Sequence, residues 1–307
     1  EQIELETEKD ELLKERLDLE LLLEKEDKQW LHVKKDIENL KARLKTGGNL
    51  FERRTDIEEI KEIEGLEISD LTEAEDVTII VSKLGWIRVI KVRDVDPHEI
   101  KYREGDEQRF VLKAKTSDKL LIFGSNGYVY TILVSQLPGG RTNGEPVRLI
   151  TDLPNQADIV NLFLFKPDLR VIVASSVGDG FIINCKDMIA QTKSGKKILN
   201  LKSGAFAKSI AGVQGELIST IGSNRKLLIF RLNELPELTR GKGVRLQKFK
   251  DGELSDMVSF QAEEGLVWKD SSGRKKVEKN ISNWIGKRAQ SGKVVPKGFP
   301  RNNKFNL

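Results

Sequence analysis

The chain contains 307 residues, with 52 Lys and Arg against 48 Asp and Glu, which gives a formal net charge of +4. This length allows two domains, or one large domain with an appendage. The sequence has one cysteine, no secretory leader and no apolar run near the ~18 residues needed to span a bilayer, so internal disulfides are excluded and we expect a protein of the reducing cytoplasm with no membrane anchor.

The charge is divided unevenly along the chain. Residues 1–75 carry 13 basic and 24 acidic side chains, a net charge of −11, so residues 76–307 carry the remaining +15. An acidic segment followed by a strongly basic one favours a polyanion as the partner of the second part. Nucleic acid is the first candidate and an anionic membrane is the second.

The first predicted elements are two helices within residues 1–48. Residues 1–23 lack Gly and Pro and place Leu5, Leu12 and Leu19 seven residues apart, which is typical of a coiled-coil seam. After a charged break at 24–28, a second apolar stripe continues until Gly47-Gly48 and consists of Trp30, Val33, Ile37, Leu40 and Leu44. Because such helices cannot bury their stripes alone, we expect them to pack on each other, on an upstream segment or on a second copy of the chain.

Residues 49–75, which are mostly charged, are interpreted as an acidic solvated linker, and residues 76–307 have the hydrophobic period of β-strands. Five hairpins are predicted, at 77–92, 120–132, 170–183, 217–230 and 265–277. Their turn markers, which are 42, 52, 45 and 48 residues apart, are Gly85, Gly127, Asp179, Asn224 and Ser272. Repeats of ~40–50 residues built from hairpins are typical of a propeller-like array.

Two of these turns have a more specific interpretation. Asn126-Gly127 favours a type I′ turn in the second hairpin. Gly178-Asp179-Gly180 joins strand to strand, so it is interpreted as the third hairpin turn and not as a dinucleotide-binding fingerprint.

A second element, glycine among cations, recurs between the hairpins. The fullest copy is 239–249, with the sequence Thr-Arg-Gly-Lys-Gly-Val-Arg-Leu-Gln-Lys-Phe, and weaker copies lie at 139–149, 193–199 and 290–299. In the first repeat we expect 102–111 to take this place. Glycine lets the backbone approach another surface closely, and the cations indicate that this surface is an anion. Each repeat is therefore predicted to begin a second strand pair here and to place cations on a common rim.

The sequence offers no constellation for catalysis or for metal binding. The two histidines, His32 and His98, have no Cys or His partner at ligand spacing, and no Gly-Lys-Ser/Thr of a P-loop occurs. Tyr128 and Tyr130 alternate along a predicted strand and indicate packing, and Cys185 lies in an apolar run that favours a buried, inert thiol. No catalytic residue and no metal site is predicted, and binding remains as the function.

The candidate binding residues are the cations expected on the rim of the array. For a single cation, a solvated surface role is about as good an interpretation as a phosphate contact, but repeated placement favours binding. The candidates are Lys83, Arg88, Lys91, Arg93, Arg103, Arg109, Arg141, Arg148, Lys193, Lys196, Lys197, Arg225, Lys226, Arg240, Lys242, Arg245, Lys248, Arg274, Lys275, Lys276, Lys287, Arg288, Lys293 and Lys297. Cations with few aromatics would contact the phosphates of duplex DNA with little sequence preference. Neutralising Arg240, Lys242 and Arg245 together is expected to weaken this binding without unfolding the domain.

Several segments of the sequence together resemble one known protein family. The run Val-Thr-Ile-Ile-Val-Ser-Lys-Leu-Gly-Trp-Ile-Arg at 77–88 closely resembles the C-terminal domain of the A subunit of bacterial topoisomerase IV, and the segments Leu137-Pro138, Gly144-Glu145-Pro146-Val147, 190–196 and 235–243 match the same domain. Arg53-Arg54-Thr55 resembles the junction that follows the coiled-coil arm of that subunit.

The resemblance implies a mainly β fold, a five-bladed β-pinwheel over 76–307 that binds and bends duplex DNA, preceded by the coiled-coil helices. It also implies a parent type II topoisomerase that uses ATP and Mg²⁺, pairs two copies of the A subunit with two copies of the topoisomerase IV B subunit (A2B2), and decatenates chromosomes. The catalytic tyrosine of that family belongs to an upstream domain, so we expect no activity and no cofactor in this sequence by itself.

Two alternatives stay open. The A subunit of gyrase has a similar domain with a Gln-Arg-Arg-Gly-Gly-Lys-Gly box and usually six blades, whereas the best matches here, 239–243 and 139–144, are degenerate and five units are counted. Both differences favour topoisomerase IV over a gyrase DNA-wrapping domain. The second alternative, from a different class, is a propeller that binds proteins or acidic ligands.

Overall fold

A computed structural model describes residues 2–46, 74–91, 100–139 and 143–307. The chain divides into two compact units, Glu1–Gly65 and Leu66–Leu307. Nearly all of the predicted linker 49–75 lies outside the described residues, as does Gly47-Gly48, where the second helix was predicted to end. The singled-out residues Arg93, His98 and Arg141 also lie outside them.

The first unit contains the two predicted helices, α1 (Gln2–Glu24) and α2 (Glu26–Thr46). The break between them is the single residue Lys25, whereas the sequence predicted a break over 24–28. The apolar stripes are exposed, with Leu12 59% and Trp30 66% accessible, so the coiled-coil pairing stays a prediction. None of the described helices is long and apolar enough to cross a membrane.

The described part of the second unit is built from short strands, with three 3-10 turns and one helical turn among the described residues. The elements in chain order are β1 (Asp76–Ser82), β2 (Trp86–Ile90), β3 (Gln108–Lys115), β4 (Lys119–Gly124), β5 (Tyr128–Leu133), β6 (Glu145–Pro146), α3 (Val147–Ile150), β7 (Ile159–Leu164), β8 (Arg170–Ser175), β9 (Asp179–Asn184), β10 (Lys196–Lys197), β11 (Ala207–Gly212), β12 (Leu217–Gly222), β13 (Lys226–Arg231), β14 (Val244–Arg245), β15 (Leu254–Phe260), β16 (Leu266–Lys269), β17 (Lys275–Glu278) and β18 (Lys293–Val294). The 3-10 turns are Val134–Gln136, Cys185–Met188 and Leu232–Glu234.

The strands form five sheets, which we number in chain order. Sheet one has the order β3-β1-β2-β6, sheet two β10-β5-β4-β7, sheet three β11-β8-β9-β14, sheet four β15-β12-β13-β18, and sheet five is the pair β16-β17. Each sheet is centred on one predicted hairpin, so all five hairpins lie where the sequence placed them.

All five hairpin turns share one geometry. The first residue of each turn accepts a hydrogen bond from the N–H three residues on, as in Gly127 N to Gly124 O at 3.0 Å and Gly178 N to Ser175 O at 2.9 Å. That fourth residue has positive φ and is glycine except at Arg225, with φ of 59°. The predicted type I′ turn at Asn126-Gly127 is therefore wrong, because only Gly127 has positive φ, with φ of 80°. A type I turn followed by one left-handed residue gives this pattern.

The third turn also differs from its prediction. The turn is formed by residues 176–178, whereas Asp179 and Gly180 are the first residues of β9. Asp179 is 3% exposed, so the residue that the sequence suggested as a turn tip is a buried strand residue.

Each complete sheet takes its third strand from the segment that follows its hairpin. These strands are β3, β7, β11 and β15, and each pairs antiparallel with the first strand of its own hairpin. The segment 102–111, predicted to be the glycine-basic element of the first repeat, instead leads into β3. Phe110 and Leu112 pack against the first core cluster, so this segment is the counterpart of the other third strands.

Each fourth strand is donated by a later part of the chain. The glycine-basic elements supply β6, β10, β14 and β18, and each of these pairs with the second hairpin strand of the preceding sheet. The predicted second strand pair is thus a strand exchange between successive sheets. Four core clusters fill the spaces between consecutive sheets, as Ile79 of sheet one and Tyr130 of sheet two share the first cluster.

The end of the chain closes the space between sheets four and five. Phe299 and Phe305 are buried with Trp268 of β16, and the two phenylalanine rings meet edge-on at 5.3 Å between centroids. The Arg225 guanidinium donates to the carbonyls of Phe299 and Pro300 at 3.1 and 2.9 Å. This turn residue is therefore fixed by the C-terminal segment.

Candidate nucleic-acid interface

The donated strands form the outer edges of the sheets, and three of the four are basic. The edge of sheet two is Lys196–Lys197, that of sheet three is Val244–Arg245 after Lys242, and that of sheet four is Lys293–Val294. The edge of sheet one is Glu145–Pro146. The predicted rim of equivalent cations is thus confined to sheets two, three and four.

Hydrogen bonds join the three basic elements to one another. Gly241 N donates to Ile198 O at 3.0 Å and Asn200 N donates to Gly241 O at 2.8 Å, which links the elements of sheets two and three. Lys248 N donates to Gln290 O at 3.0 Å, which links the elements of sheets three and four. We call residues 193–200, 239–248 and 287–293 the outer band.

The exposed cations of the outer band are available to a ligand. Within the described part of the chain, no carboxylate forms an ion pair with them, except that the Lys242 ammonium lies 3.9 Å from Asp179. These cations are Lys193, Lys196, Arg240, Lys242, Lys248, Lys287 and Lys293. Lys197 is half-buried, with its ammonium 5.9 Å from the centre of the Tyr128 ring.

The glycines of the band approach protein backbone. Gly243 has φ of 75°, and a Cβ there would lie 2.2 Å from the carbonyl oxygen of Gly180 in β9. The sequence predicted that these glycines allow close approach to an anion. Gly243 instead allows the donated strand to pack closely against β9. The cations on either side are what the band offers to a ligand.

A buried carboxylate supports the middle of the band. Asp179 Oδ1 accepts from Arg245 Nε at 2.7 Å, and Asp179 Oδ2 lies 3.2 Å from Lys202 Nζ. Arg245 also donates to Val177 O at 2.7 Å. Arg245 thus contributes to the fold, and we expect its neutralisation together with Arg240 and Lys242 to lower stability as well as to weaken DNA binding, because a buried carboxylate would lose its nearest cation. That the domain stays folded after this change remains a prediction.

Lys202 was missed from the sequence. A usable signal existed, since Asp179 stands between glycines in an otherwise apolar strand pair, and a buried acid requires a cation nearby.

Other predicted cations also serve the fold. Arg88 is 8% exposed and donates to Lys101 O at 2.6 Å, and Arg148 donates to Ala157 O at 2.8 Å. Arg288, in the outer band, donates to Arg245 O at 2.7 Å. Together with Arg225 and Arg245, these arginines donate from their guanidinium groups to backbone carbonyls of other segments of the chain.

Arg109 joins sheet one to sheet two. Its Nη1 and Nη2 atoms lie 2.9 Å from the two carboxylate oxygens of Asp158, the residue just before β7. These hydrogen bonds hold the pKa of Asp158 below its usual value. A similar contact joins sheets three and four, where Lys208 Nζ lies 2.8 Å from Glu253 Oε1.

The exposed cations of sheet one have partners of their own. Lys83 pairs with Glu107 at 2.5 Å, and Lys91 pairs with Glu75 at 2.6 Å. The Arg103 guanidinium lies 3.5 Å from the centre of the Trp86 ring. With Glu145 at its outer edge and these partners for its predicted cations, sheet one differs from the outer band.

The remaining candidates lie near the fourth and fifth hairpins. Lys226 begins β13 and is half-buried, and Lys297 is exposed in the C-terminal segment. Arg274, Lys275 and Lys276 are exposed on the fifth hairpin, where Arg274 pairs with Asp270 at 3.8 Å.

The titratable groups considered for chemistry are part of the core. Tyr130 is 2% exposed, accepts from Asn126 Nδ2 at 2.9 Å, and has its pKa raised by burial. Burial also raises the pKa of the Cys185 thiol, as the sequence suggested. Among the described residues, no group of three or more His, Cys, Asp or Glu side chains could hold a metal.

Comparisons with known proteins agree with this architecture. The family profile described as DNA gyrase C-terminal domain, beta-propeller, matches residues 118–166 and 216–257. The A subunit of DNA topoisomerase 4 from Rickettsia bellii is 40% identical over 99% of this chain and 41% of its own length, and that of Caulobacter vibrioides is 38% identical over the same shares. The chain is therefore homologous, over nearly its whole length, to part of the A subunit of topoisomerase IV.

Solved structures support the pinwheel. The C-terminal domain of E. coli ParC aligns with a TM-score of 0.64 at 24% identity over 74% of this chain and 96% of that domain. The gyrase A C-terminal domain aligns with a TM-score of 0.55 at 18% identity over 75% of this chain and 80% of that one. The mainly β pinwheel preceded by helices is therefore confirmed. The chain spans about two fifths, 41%, of the length of its topoisomerase IV relative from Rickettsia bellii.

Proposed function

We propose that this chain binds duplex DNA along the outer band, as the DNA-binding part of the A subunit of a bacterial topoisomerase IV. The observation that carries the proposal is the continuity of the band. Three basic elements from successive repeats, far apart in sequence, are hydrogen-bonded into one surface on sheets two to four.

The chemistry of the band suits phosphates. Most of its exposed cations are lysines, which act as mobile point charges and carry little geometric preference for a base edge. Binding should therefore depend weakly on sequence and strongly on salt, with a log–log slope of about −0.9 for each phosphate neutralised.

We further propose that DNA following the band is bent. A duplex that touches one sheet neutralises only the few cations there, and contact with all three sheets adds phosphate contacts. Bending a short site by about 40–90° costs roughly 1–6 kcal/mol, which those added contacts must offset. Bending would position a duplex for strand passage by the parent enzyme.

The role in the parent enzyme rests on the family relationship. We propose that the chain acts in the cytoplasm within an A2B2 assembly of two A and two B subunits, which uses ATP and Mg²⁺ to pass one duplex through another, decatenating and relaxing DNA. The residues described here supply binding, and the chemistry would belong to the other parts of that assembly.

The test is a titration of the 307-residue chain with linear duplexes of about one and about four helical turns at several salt concentrations. Fluorescence transfer between the duplex ends reports bending. We expect tighter and more salt-dependent binding of the longer duplex together with shortening of its end-to-end distance.

Three outcomes would contradict the proposal in different ways. Binding that does not depend on duplex length would limit the site to one sheet. Absence of binding would make the outer band a solubility feature. A constrained supercoil of one consistent hand on relaxed plasmid would favour the DNA-wrapping behaviour expected of a gyrase domain.

A further inference from the structure

The strand exchange follows one backbone rule in all four complete sheets. The donated strand pairs with the first two residues of the second hairpin strand, as Glu145 pairs with Ile87 and Val244 pairs with Gly180. A later N–H of the donor then bonds the carbonyl of the left-handed turn residue, as in Val147 N to Gly85 O at 2.9 Å and Leu246 N to Gly178 O at 2.7 Å. Ile198 to Gly127 and Val295 to Arg225 repeat this bond at 3.0 and 3.1 Å.

The four donors share a sequence that follows from this geometry. Glycine comes first, two variable residues form the strand, and an apolar residue follows. The four copies are Gly144-Glu145-Pro146-Val147, Gly195-Lys196-Lys197-Ile198, Gly243-Val244-Arg245-Leu246 and Gly292-Lys293-Val294-Val295. Each glycine has φ between 75° and 83°. The donor rule is therefore Gly-x-x-Val/Ile/Leu, with no requirement for charge at x.

The hairpin of sheet five has the same geometry as the hairpins that accept a donated strand, but no donated strand pairs with it among the described residues. Its turn is equivalent, with Gly273 at φ of 79° and its N–H bonded to Asp270 O at 2.9 Å. Lys275 pairs with Lys269 as Ile87 pairs with Val81. Asp270 N donates to Arg274 O at 2.9 Å, so Lys269 and Lys275 form a non-hydrogen-bonded pair of this antiparallel hairpin. The N–H and C=O of Lys275 therefore point away from β16.

The vacant acceptor is accessible and basic. Residues 274–277 are exposed, and Val277 is 45% accessible although it lies in a strand. The cations in or next to this strand are Arg274, Lys275, Lys276 and Lys279. The nearby acids are Glu278 and Asp270, and Asp270 lies 3.8 Å from Arg274. An unpaired strand edge of this kind is open to addition of a strand from another chain.

We propose that the outer edge of the fifth hairpin, from Gly273 to Lys275, binds an extended acidic segment of another polypeptide that carries the pattern Gly-acid-x-Val/Ile/Leu. The backbone rule specifies the glycine and the apolar residue, and the surrounding cations specify the acid. Glu145 shows that an acidic residue fits the equivalent place in sheet one. The three basic donors of a second copy of this chain would be repelled, and its acidic donor, Glu145–Pro146, is already paired with β2 of sheet one.

The probe is a fluorescein-labelled peptide, Asn-Gly-Glu-Glu-Val-Glu, titrated into the 307-residue chain and followed by anisotropy. Two matched peptides replace its glycine by alanine or its three glutamates by lysine. We expect saturable binding of the probe, and binding at least ~10-fold weaker for each control, because alanine resists positive φ and lysine reverses the charge complementarity.

Two variants of the chain locate the site. Lys275→Pro removes the outward N–H and is expected to weaken probe binding at least ~10-fold, whereas Lys275→Ala keeps the backbone and should stay within ~3-fold. Thermal melts check that both variants fold. If Lys275→Pro does not fold, Lys276→Glu replaces it, with an expected loss of at least ~3-fold.

Equal binding of the glycine and alanine peptides would overturn the proposal, because it would show attraction by charge alone. Unchanged binding in a folded Lys275→Pro variant would also overturn it. A duplex of about 20 base pairs serves as competitor. If the duplex bound and lost affinity in Lys275→Pro while the peptide did not bind, the ligand of this edge would be DNA.

Discussion

The outer edges of sheets one and three have the same backbone and opposite chemistry. In sheet one, Gly144 seats Glu145–Pro146 on Trp86 and Ile87, and in sheet three, Gly243 seats Val244–Arg245 on Asp179 and Gly180. A Cβ at either glycine would lie 2.3 or 2.2 Å from a carbonyl oxygen of the accepting strand. The glycine is common to both edges, and the charge is not.

The difference separates two roles that the sequence pattern had combined. The glycines hold the array together, since they occur at the acidic edge as well as at the basic ones. The cations vary from edge to edge without altering the exchange, so they are the part of the pattern that binding can explain. Arg245 belongs to both roles, because it contacts buried Asp179 and lies in the outer band.

The largest effect is expected from the shared glycines. Gly243→Ala and Gly144→Ala should each lower the free energy of unfolding by at least ~3 kcal/mol, because each places a Cβ against a carbonyl at positive φ. Denaturant unfolding measures both. Gly212→Ala is the control, since nothing lies within 4 Å of its Cβ position, and it should change stability by less than ~0.5 kcal/mol. A large loss at Gly243 with none at Gly144 would break the equivalence of the two edges.

The next largest effect should distinguish the edge of sheet three from that of sheet one. Arg245→Ala is expected to cost about 2–3 kcal/mol of stability, because it removes the nearest cation from Asp179 while Lys202 remains at 3.2 Å. Glu145→Ala, at the matching edge of sheet one, removes an exposed carboxylate and should stay within ~0.5 kcal/mol. Thermal unfolding of both variants is the measurement. Equal stability of Arg245→Ala and the parent chain would show that Asp179 does not depend on Arg245.

A smaller effect is expected from making the edge of sheet one chemically similar to that of sheet three. Glu145→Lys makes the edge of sheet one basic without disturbing its glycine, and we expect it to tighten duplex binding about 2–5-fold at low salt. A titration with the longer duplex measures the change, and high salt should abolish it. If affinity fell instead, the acid of sheet one would itself be part of the binding surface.

The hairpins were predictable from sequence because they depend on local signals. Alternating apolar residues and turn glycines gave five hairpins near their observed positions, and the resemblance of 77–88 to the topoisomerase IV domain gave their arrangement. The turn type at Asn126-Gly127 failed, because the register of the turn begins at Gly124, two residues before Asn126, and places only Gly127 at positive φ.

The strand exchange was not predictable in the same way. A two-residue strand such as Lys196–Lys197 has no period, and its pairing with Tyr128 and Val129 spans more than one repeat. The site residues were therefore harder to predict, because the role of an arginine depends on which backbone carbonyls lie beside it. The sequence does not distinguish Arg225, Arg245 and Arg288 from the exposed cations, yet each of them donates to a backbone carbonyl of another segment.

The central claim is that the cations of the outer band bind the duplex, and charge reversal tests it most directly. Lys196→Glu with Lys293→Glu changes two exposed lysines of the band in sheets two and four. Lys166→Glu with Lys186→Glu makes the same change in net charge at exposed lysines outside the band. With the four-turn duplex, we expect the first pair to weaken binding at least ~10-fold and to lower the salt slope by about 2, and the second pair to weaken it less than ~3-fold. Equal losses in the two pairs would show that net charge, and not the outer band, attracts the duplex.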